Sequence, residues 1–548
     1  MATRMHRLLI LCLWIIPMLA SAQRYEFTHD DTLRGSITPE RAWWDLAFYH
    51  LTVRVQPTDS TLHGSTLIRY RVLKAGQTMQ VDLQRPLRVE RVEQDGQSLP
   101  FRQDGNAYFV TLTKKQQPGK TEAVTVFYGG KPRVAKRPPW DGGMVWSRDR
   151  AGNWFIATAC QGLGASAWWP CKDHMYDEPD SMAISVTVPD DLTDVSNGRL
   201  RQVTTNPDHT RTFDWYVQNP INNYGVNLNI ARYEHWSEKY AGEKGPLDLN
   251  YYVLPNHLDS AKVQFQQVPK MLKAFEYWFG PYPFYEDGYK LVETPYLGME
   301  HQSSVTYGNR FRNGYLGRDL SQTGWGLRWD FIIVHESGHE WYANNITYKD
   351  IADMWIHESF TNYSEGLFTE YYYGKDAGAQ YIIGCRALIR NDKPIVGIYN
   401  VNQEGSSDMY YKGGNMLHTI RQVVGNDSVW HHLLRGMNKT FYHQTVTARQ
   451  IEQYMTGQTG INLQPIFDQY LRNTKIPVLE YRPVAGGFQY RWANCVPGFV
   501  MPARVCLGES GPYRSIQPTA QWKTLPANGA TTLTVDPNYL VVCRLVNQ

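Results

Sequence analysis

His335-Glu336-Ser337-Gly338-His339 constrains the fold of this chain more than any other stretch. Two histidines four residues apart lie on one face of a helix, close enough to share one ion, so the motif calls for a helix here. Glu336, between them, points at the same place and can act as a base. Glu358 follows after eighteen intervening residues, 340 to 357. Two imidazoles and a carboxylate leave a fourth position for water, which is the donor set of a catalytic zinc. A bare H-E-x-x-H arises by chance in long chains. With Trp355-x-x-Glu358-x-Phe360 downstream, chance becomes a poor account.

At 548 residues the chain is too long for one ordinary domain; about two to four are expected. Its 42% hydrophobic and 20% charged residues suffice for several cores in a soluble protein. The 36 Tyr and 18 Trp fit either large β-rich cores or an aromatic-lined cleft. The net charge is +3, and without Arg4 and Arg7 the balance is 53 basic to 52 acidic residues. Such near-neutrality gives no support for nucleic-acid or anionic-membrane partners.

The N-terminus reads as a cleavable secretory signal. Arg4 and Arg7 precede the apolar run Leu8 to Leu19, and Ala20-Ser21-Ala22 forms an A-x-A site that would leave Gln23 first. The run is short for a membrane span, and no later segment is long and apolar enough. The mature chain (23–548) is therefore expected outside the cytoplasm, secreted or periplasmic. Cys160, Cys171, Cys385, Cys495, Cys506 and Cys543 would remain. Export permits disulfides, but buried free thiols are equally open, and six cysteines allow fifteen full pairings.

Period-two alternation dominates the first part, to about residue 236. Leu51, Val53 and Val55 read as one strand, and Ile68, Tyr70 and Val72 as another. Tyr108, Val110 and Leu112, then Val124, Val126 and Tyr128, then Met182, Ile184, Val186 and Val188 continue the pattern. Asp104-Gly105-Asn106 and Gly129-Gly130 read as turns. From 237 to about 474 the chain reads as mainly helical. Apolar spacing marks a helix over 258–279 that ends at Gly280-Pro281, and another over 451–471 broken near Gly457 and Gly460. After Pro477, Val478 to Tyr481, Phe488 to Arg491 and Leu540 to Val542 suggest the short strands of a small β-sandwich, 475–548.

Zinc held by His335, His339 and Glu358, one ion per chain, would bring the pKa of its water to about 7. Glu336 would take that water's proton and pass it to a leaving amine. The motif set resembles the M1 family of zinc aminopeptidases, a gluzincin group. The residues that carry the resemblance are His335 to Trp341 and Trp355-Ile356-His357-Glu358-Ser359-Phe360. The family's second block is usually W-L-N-E-G-F, so His357 and Ser359 are departures beside the ligand. Phe279-Gly280-Pro281-Tyr282-Pro283 and Phe467 to Leu471 also match recurring family phrases.

Gly298-Met299-Glu300-His301 is similar to the family's G-x-M-E-N exopeptidase signature, with Leu297 in place of its first Gly and His301 in place of its Asn. The resemblance implies that Glu300 binds the substrate's α-amine, with Gly298 and Met299 beside it. Gln161, nine residues ahead of Pro170 in Pro170-Cys171-Lys172-Asp173, matches a second amine anchor. Tyr410-Tyr411-Lys412-Gly413 resembles Y-E-K-G. Registering on Lys412-Gly413 puts the oxyanion-donating tyrosine at Tyr410; the shifted register puts it at Tyr411.

The resemblance implies a multidomain α+β chain with a saddle-like N-terminal β-domain (23–236), a thermolysin-like catalytic domain (237–474) and a small C-terminal β-sandwich. The large helical domain that many relatives add is not expected, which would leave a more open cleft. The expected activity is removal of residues from peptides with a free N-terminus. A thermolysin-type endopeptidase and a non-catalytic peptide binder are the competing readings, and epoxide hydrolysis is a remote one.

Overall fold

A computed structural model describes residues 27–508, 511–527 and 529–546. The signal-like stretch lies outside these residues. The five strands read from alternation all form. They lie in Trp44–Gln56, Thr61–Val72, Ala107–Gln116, Thr121–Gly130 and Ser181–Pro189, and their apolar positions are buried as period two requires. Trp44–Gln56 pairs antiparallel with Thr61–Val72 and parallel with Ser181–Pro189 at the centre of an eight-stranded sheet. A four-stranded sheet including Gly143–Arg148 and Trp154–Ala159, and a three-stranded one including Ala107–Gln116, pack with it around one apolar core. Gly129-Gly130, read as a turn, instead ends the strand Thr121–Gly130, with the His63 ring lying where a side chain on Gly129 would project.

The mainly helical stretch opens with strands that the sequence reading passed over. Glu234–Gly242 and Gly245–Val253 form a hairpin, and Leu247, Leu249, Tyr251 and Val253 alternate into the core. They join Tyr289–Glu293, Val305–Tyr307 and Gly298–Met299 in a five-stranded mixed sheet, in which Gly298–Met299 is an edge strand. The expected helix over 258–279 is two, Leu258–Gln264 and Gln267–Phe279. Ala448–Thr459 runs through Gly457 and stops at Gly460, whose φ of 68° is left-handed and suits glycine. Gln464–Leu471 follows.

The helical core continues into the C-terminal strands Val478–Val484 and Gly487–Ala493. The last strand is Val542–Leu545, paired parallel with Val478–Val484. Leu540, read as strand, instead donates its backbone N–H to Thr419 Oγ1 on the helix Tyr411–Val424, tying the small sandwich to the catalytic region. The six cysteines are free. The large aromatics are chiefly core: Trp44, Trp168, Trp169, Trp329, Trp341, Trp355 and Trp430 are among the largest fully buried side chains.

Candidate metal centre and substrate cleft

His335 lies on the helix Phe331–Gly338, and His339 caps its end. Asp330 starts that helix, accepting from the N–H groups of Ile332 and Ile333. Phe331, Ile332, Ile333 and Val334 are buried, so core packing holds the helix in place. Glu358 comes from Trp355–Tyr373, buried from Trp355 through Thr369. Gly338 lets the two helices meet: a Cβ there would sit 2.8 Å from Ser364 Oγ and 3.1 Å from Thr361 Cγ2.

The Nε2 atoms of His335 and His339 lie 3.8 Å and 3.4 Å from Glu358 Oε2. The other face of each ring is occupied. His335 Nδ1 meets Glu365 Oε1 at 2.7 Å, and His339 Nδ1 meets the Tyr342 carbonyl at 3.0 Å. Both Nε2 atoms are thereby turned toward one point, the usual outer support of a metal-binding histidine. Glu358 Oε2 is buried with no hydrogen-bond partner, which is costly unless a cation sits there. The three ligand atoms lie within 4.8 Å of one another. These residues fit a zinc ion.

Glu365 was missed by the sequence reading. It stands seven residues after Glu358, two helical turns along the same face. Tyr381 OH donates to it at 2.6 Å and Asn362 Nδ2 at 3.2 Å. Spacing offered this signal, but only the packed helices show that it meets His335.

Gln161, in the loop after the strand Trp154–Ala159, crosses from the β-domain into the site. Its Nε2 donates to Glu300 Oε1 at 2.7 Å and to Glu358 Oε1 at 2.8 Å. One amide thus ties the expected amine anchor to the expected metal ligand. Arg34 holds the loop, donating to the Gly162 carbonyl at 3.0 Å. Tyr224 OH also donates to Glu300 Oε1, at 3.1 Å, and no sequence signal marked it.

The charges are packed closely. Burial opposes ionisation of Glu358, but the facing His339 and His335 bring its carboxyl down to about 2. Burial pushes Glu336 up to about 7, an effect that His335 tempers and Glu300 reinforces. Burial also raises Glu300, with His339 opposing and Glu358 adding to the rise. Glu300, Glu336, Glu358 and Glu365 are all buried around two histidines. This excess of carboxylates calls for cations.

All nine expected site residues line one cleft of about 1210 Å³: Gln161, Gly298, Met299, Glu300, His335, Glu336, His339, Glu358 and Tyr410. Gly298 lets the edge strand lie against the metal-motif helix, since a Cβ there would meet Ile332 Cγ2 at 2.7 Å. Tyr410 stacks toward His335 with ring centroids 6.1 Å apart. Burial and the nearby Glu358 and Glu300 push its phenol well above the usual range. Tyr411 lines the same cleft, with the Glu365 carboxylate among its neighbours.

The departures from the family pattern have distinct places. His301 is fully buried among the residues behind the strand, its Nδ1 3.4 Å from Thr306 Oγ1, and does not line the cleft. Leu297 does line it. His357 Nε2 accepts the Tyr348 N–H at 2.9 Å. Ser359 Oγ donates to the Met409 carbonyl at 2.6 Å, so the residue after Glu358 pins the backbone just before Tyr410.

A helix-borne histidine pair, a glutamate from the next long helix and a sheet edge running past them define a metallopeptidase-type centre. Residues 263–470 match the model described as Peptidase family M1 domain. A probable aminopeptidase 2 of Sulfurisphaera tokodaii is 22% identical over 410 residues, 72% of this chain and 49% of that one. Human aminopeptidase B is 25% identical over 308 residues, 55% of this chain and 43% of that one. The chain spans about half the length, or less, of the curated relatives it matches. Among solved structures, an M1 zinc metallopeptidase mutant of Deinococcus radiodurans bound to a Tyr-Ser-Ala substrate superposes with a TM-score of 0.66 at 20% identity, covering 80% of this chain and 96% of that one. A two-domain M1 zinc metallopeptidase mutant bound to L-tryptophan gives 0.68 at 21%, with the same coverages. These likenesses establish the fold.

Proposed function

We propose that this protein is a zinc aminopeptidase that hydrolyses the first peptide bond of peptides with a free N-terminus. The observation that carries the reading is the Gln161 amide bridging Glu300 and Glu358. It sets a buried carboxylate at a fixed distance from the metal ligands, so an ammonium paired with Glu300 measures off one residue to the scissile carbonyl.

His335, His339 and Glu358 would hold the zinc. Bound there, zinc supplies a Lewis acid and a water of lowered pKa. Glu336 is the base. Its buried carboxylate can accept the attacking water's proton and return it to the leaving amine. Tyr410 keeps its proton at any working pH, so its hydroxyl can donate to the carbonyl oxygen as negative charge develops. Gln161 and Glu300 orient the amine.

The test compares amino-acyl arylamides with their N-acetylated counterparts. Strong preference for the free amines is expected. Equal or better turnover of the acetylated set would point to the endopeptidase reading instead. We also place the mature protein outside the cytoplasm, on the strength of Arg4, Arg7, the apolar run and Ala20-Ser21-Ala22. N-terminal sequencing of the processed protein is expected to begin at Gln23.

A further inference from the structure

A second cavity, of about 820 Å³, lies beside the metal cleft. Trp140 and Leu297 line both, forming a sill between them. Trp140 is 68% exposed, yet its loop is well tied. Asp141 accepts from the N–H groups of Lys136 and Arg137 at 2.8 Å each, and Met144 N–H donates to the Arg133 carbonyl.

Arg150, Arg310 and Arg312 line the second cavity, and all three are exposed. Among the described residues none of the three guanidinium groups has a hydrogen bond or an ion pair. The cavity's one carboxylate, Glu293, is already engaged. His257 Nδ1 lies 2.6 Å from its Oε1, and it accepts the Leu254 N–H at 2.8 Å. The groove therefore presents uncompensated positive charge, unlike the metal cleft next to it.

The arginines at 310 and 312 are placed deliberately by the backbone. Arg310 and Phe311 are consecutive left-handed residues, with φ of 58° and 54°, a region that side-chain-bearing residues seldom adopt. Asn309 holds the turn. Its Nδ2 reaches the carbonyls of Arg312 at 2.7 Å and Gly314 at 2.8 Å, and its Oδ1 accepts the Leu316 N–H at 2.8 Å. The same Nδ2 lies 2.8 Å from Asp330 Oδ1, the cap of the metal-motif helix. The turn is thus hung from the element that carries His335.

Direction follows from the aminopeptidase reading, on which this inference rests. With its amine at Glu300 and its first bond at the histidine pair, a peptide leads away from Glu300 along the open side of the edge strand Gly298–Met299. That path passes Leu297. An extended chain advances about 3.3 Å per residue, so about the third to fifth residue crosses the sill. We propose that the groove of Arg150, Arg310 and Arg312 is a subsite for carboxylates in the downstream part of the substrate, favouring acidic or short free-acid peptides.

Two sources share this chemistry, a C-terminal carboxylate and an Asp or Glu side chain. The test uses Leu-(Ala)n peptides of three to six residues as free acids and as amides, with a second amide set carrying Glu at positions three, four or five. The ratio of kcat/KM between acid-bearing and neutral peptides is measured on one preparation, so a partly misfolded variant does not distort it. A preference of about 1.5- to fivefold is expected for exposed charge pairs. It should shrink as salt is raised and collapse in R310Q/R312Q. A gain from the free acids alone assigns the terminal carboxylate, and a gain from Glu in the amides assigns the side chain.

Absence of any preference at every length would overturn the subsite. So would a preference kept in full by both R310Q/R312Q and R150Q. Binding of the same peptides to Glu336→Gln, followed by titration calorimetry, gives a readout that needs no turnover. If arylamides are not hydrolysed but acid-bearing peptides still bind more tightly through these arginines, the catalytic reading fails and the subsite stands.

Discussion

At the scale of single residues, the oxyanion chemistry depends on which of two adjacent tyrosines faces the reaction. Tyr410 stacks toward His335 and feels Glu358 and Glu300, whereas the carboxylate closest to Tyr411 in effect is Glu365, behind the metal site. Removing one oxyanion donor costs about 10²- to 10³-fold in kcat. Tyr410→Phe is therefore expected to lose about that much kcat with zinc content unchanged, and Tyr411→Phe far less. Steady-state kinetics with metal analysis checks both, and the reverse ranking would transfer the role to Tyr411. The motif register pointed to Tyr410, but a repeated Tyr-Tyr leaves the choice to backbone geometry that no spacing rule contains. Gln161 was likewise legible as a motif position. That its one amide spans two carboxylates was not, because those residues come from opposite sides of the cleft.

At the scale of elements, the helix holding Glu358 and the helix that follows Tyr410 are fitted to one another. A Cβ on Gly413 would sit 1.9 Å from Ser359 Oγ, so Ser359 and Gly413 depend on each other. Gly413→Ala is expected to lower stability by about 1–3 kcal/mol, the usual cost of overpacking. Adding Ser359→Gly should recover much of that, giving a clear coupling energy in a double-mutant cycle. Denaturant unfolding of the four proteins measures it, and strict additivity would contradict the contact. The strands and helices themselves were largely readable, since Met182, Ile184, Val186 and Val188 alternate plainly. The hairpin at 234–253 carries the same alternation at Leu247, Leu249, Tyr251 and Val253, but it sits at the head of a mainly helical stretch. Its place became clear only through its pairing with Tyr289–Glu293, which lies far along the chain.

At the scale of the whole molecule, buried histidines shape the response to acid, His174, His301 and His418 among them. Burial holds His174 and His301 at about 3 and His418 at about 4. In the unfolded chain each takes up a proton near 6.5. Below that pH the unfolded state binds more protons than the folded one, so each histidine withdraws stability as pH falls toward its folded value. His418 meets Asn538 Oδ1 at 2.9 Å, between the helix Tyr411–Val424 and the C-terminal sandwich. His418→Gln lacks this titration. The difference in Tm between variant and wild type is expected to move in the variant's favour from about pH 6.5 down to about pH 4. A difference that stays constant with pH would show that His418 titrates alike in the folded and unfolded chain.

The cleft joins a metal site to an amine anchor, and one reconstitution tests both. The protein is stripped of metal, zinc is returned in steps, and hydrolysis of an amino-acyl arylamide and its N-acetylated form is followed together. The account predicts activity that rises to a plateau at one zinc per chain, confined largely to the free amine. Glu336→Gln should bind the same single zinc yet lose about 10²- to 10⁴-fold in rate. Full activity without metal, or equal turnover of the acetylated substrate, would contradict it.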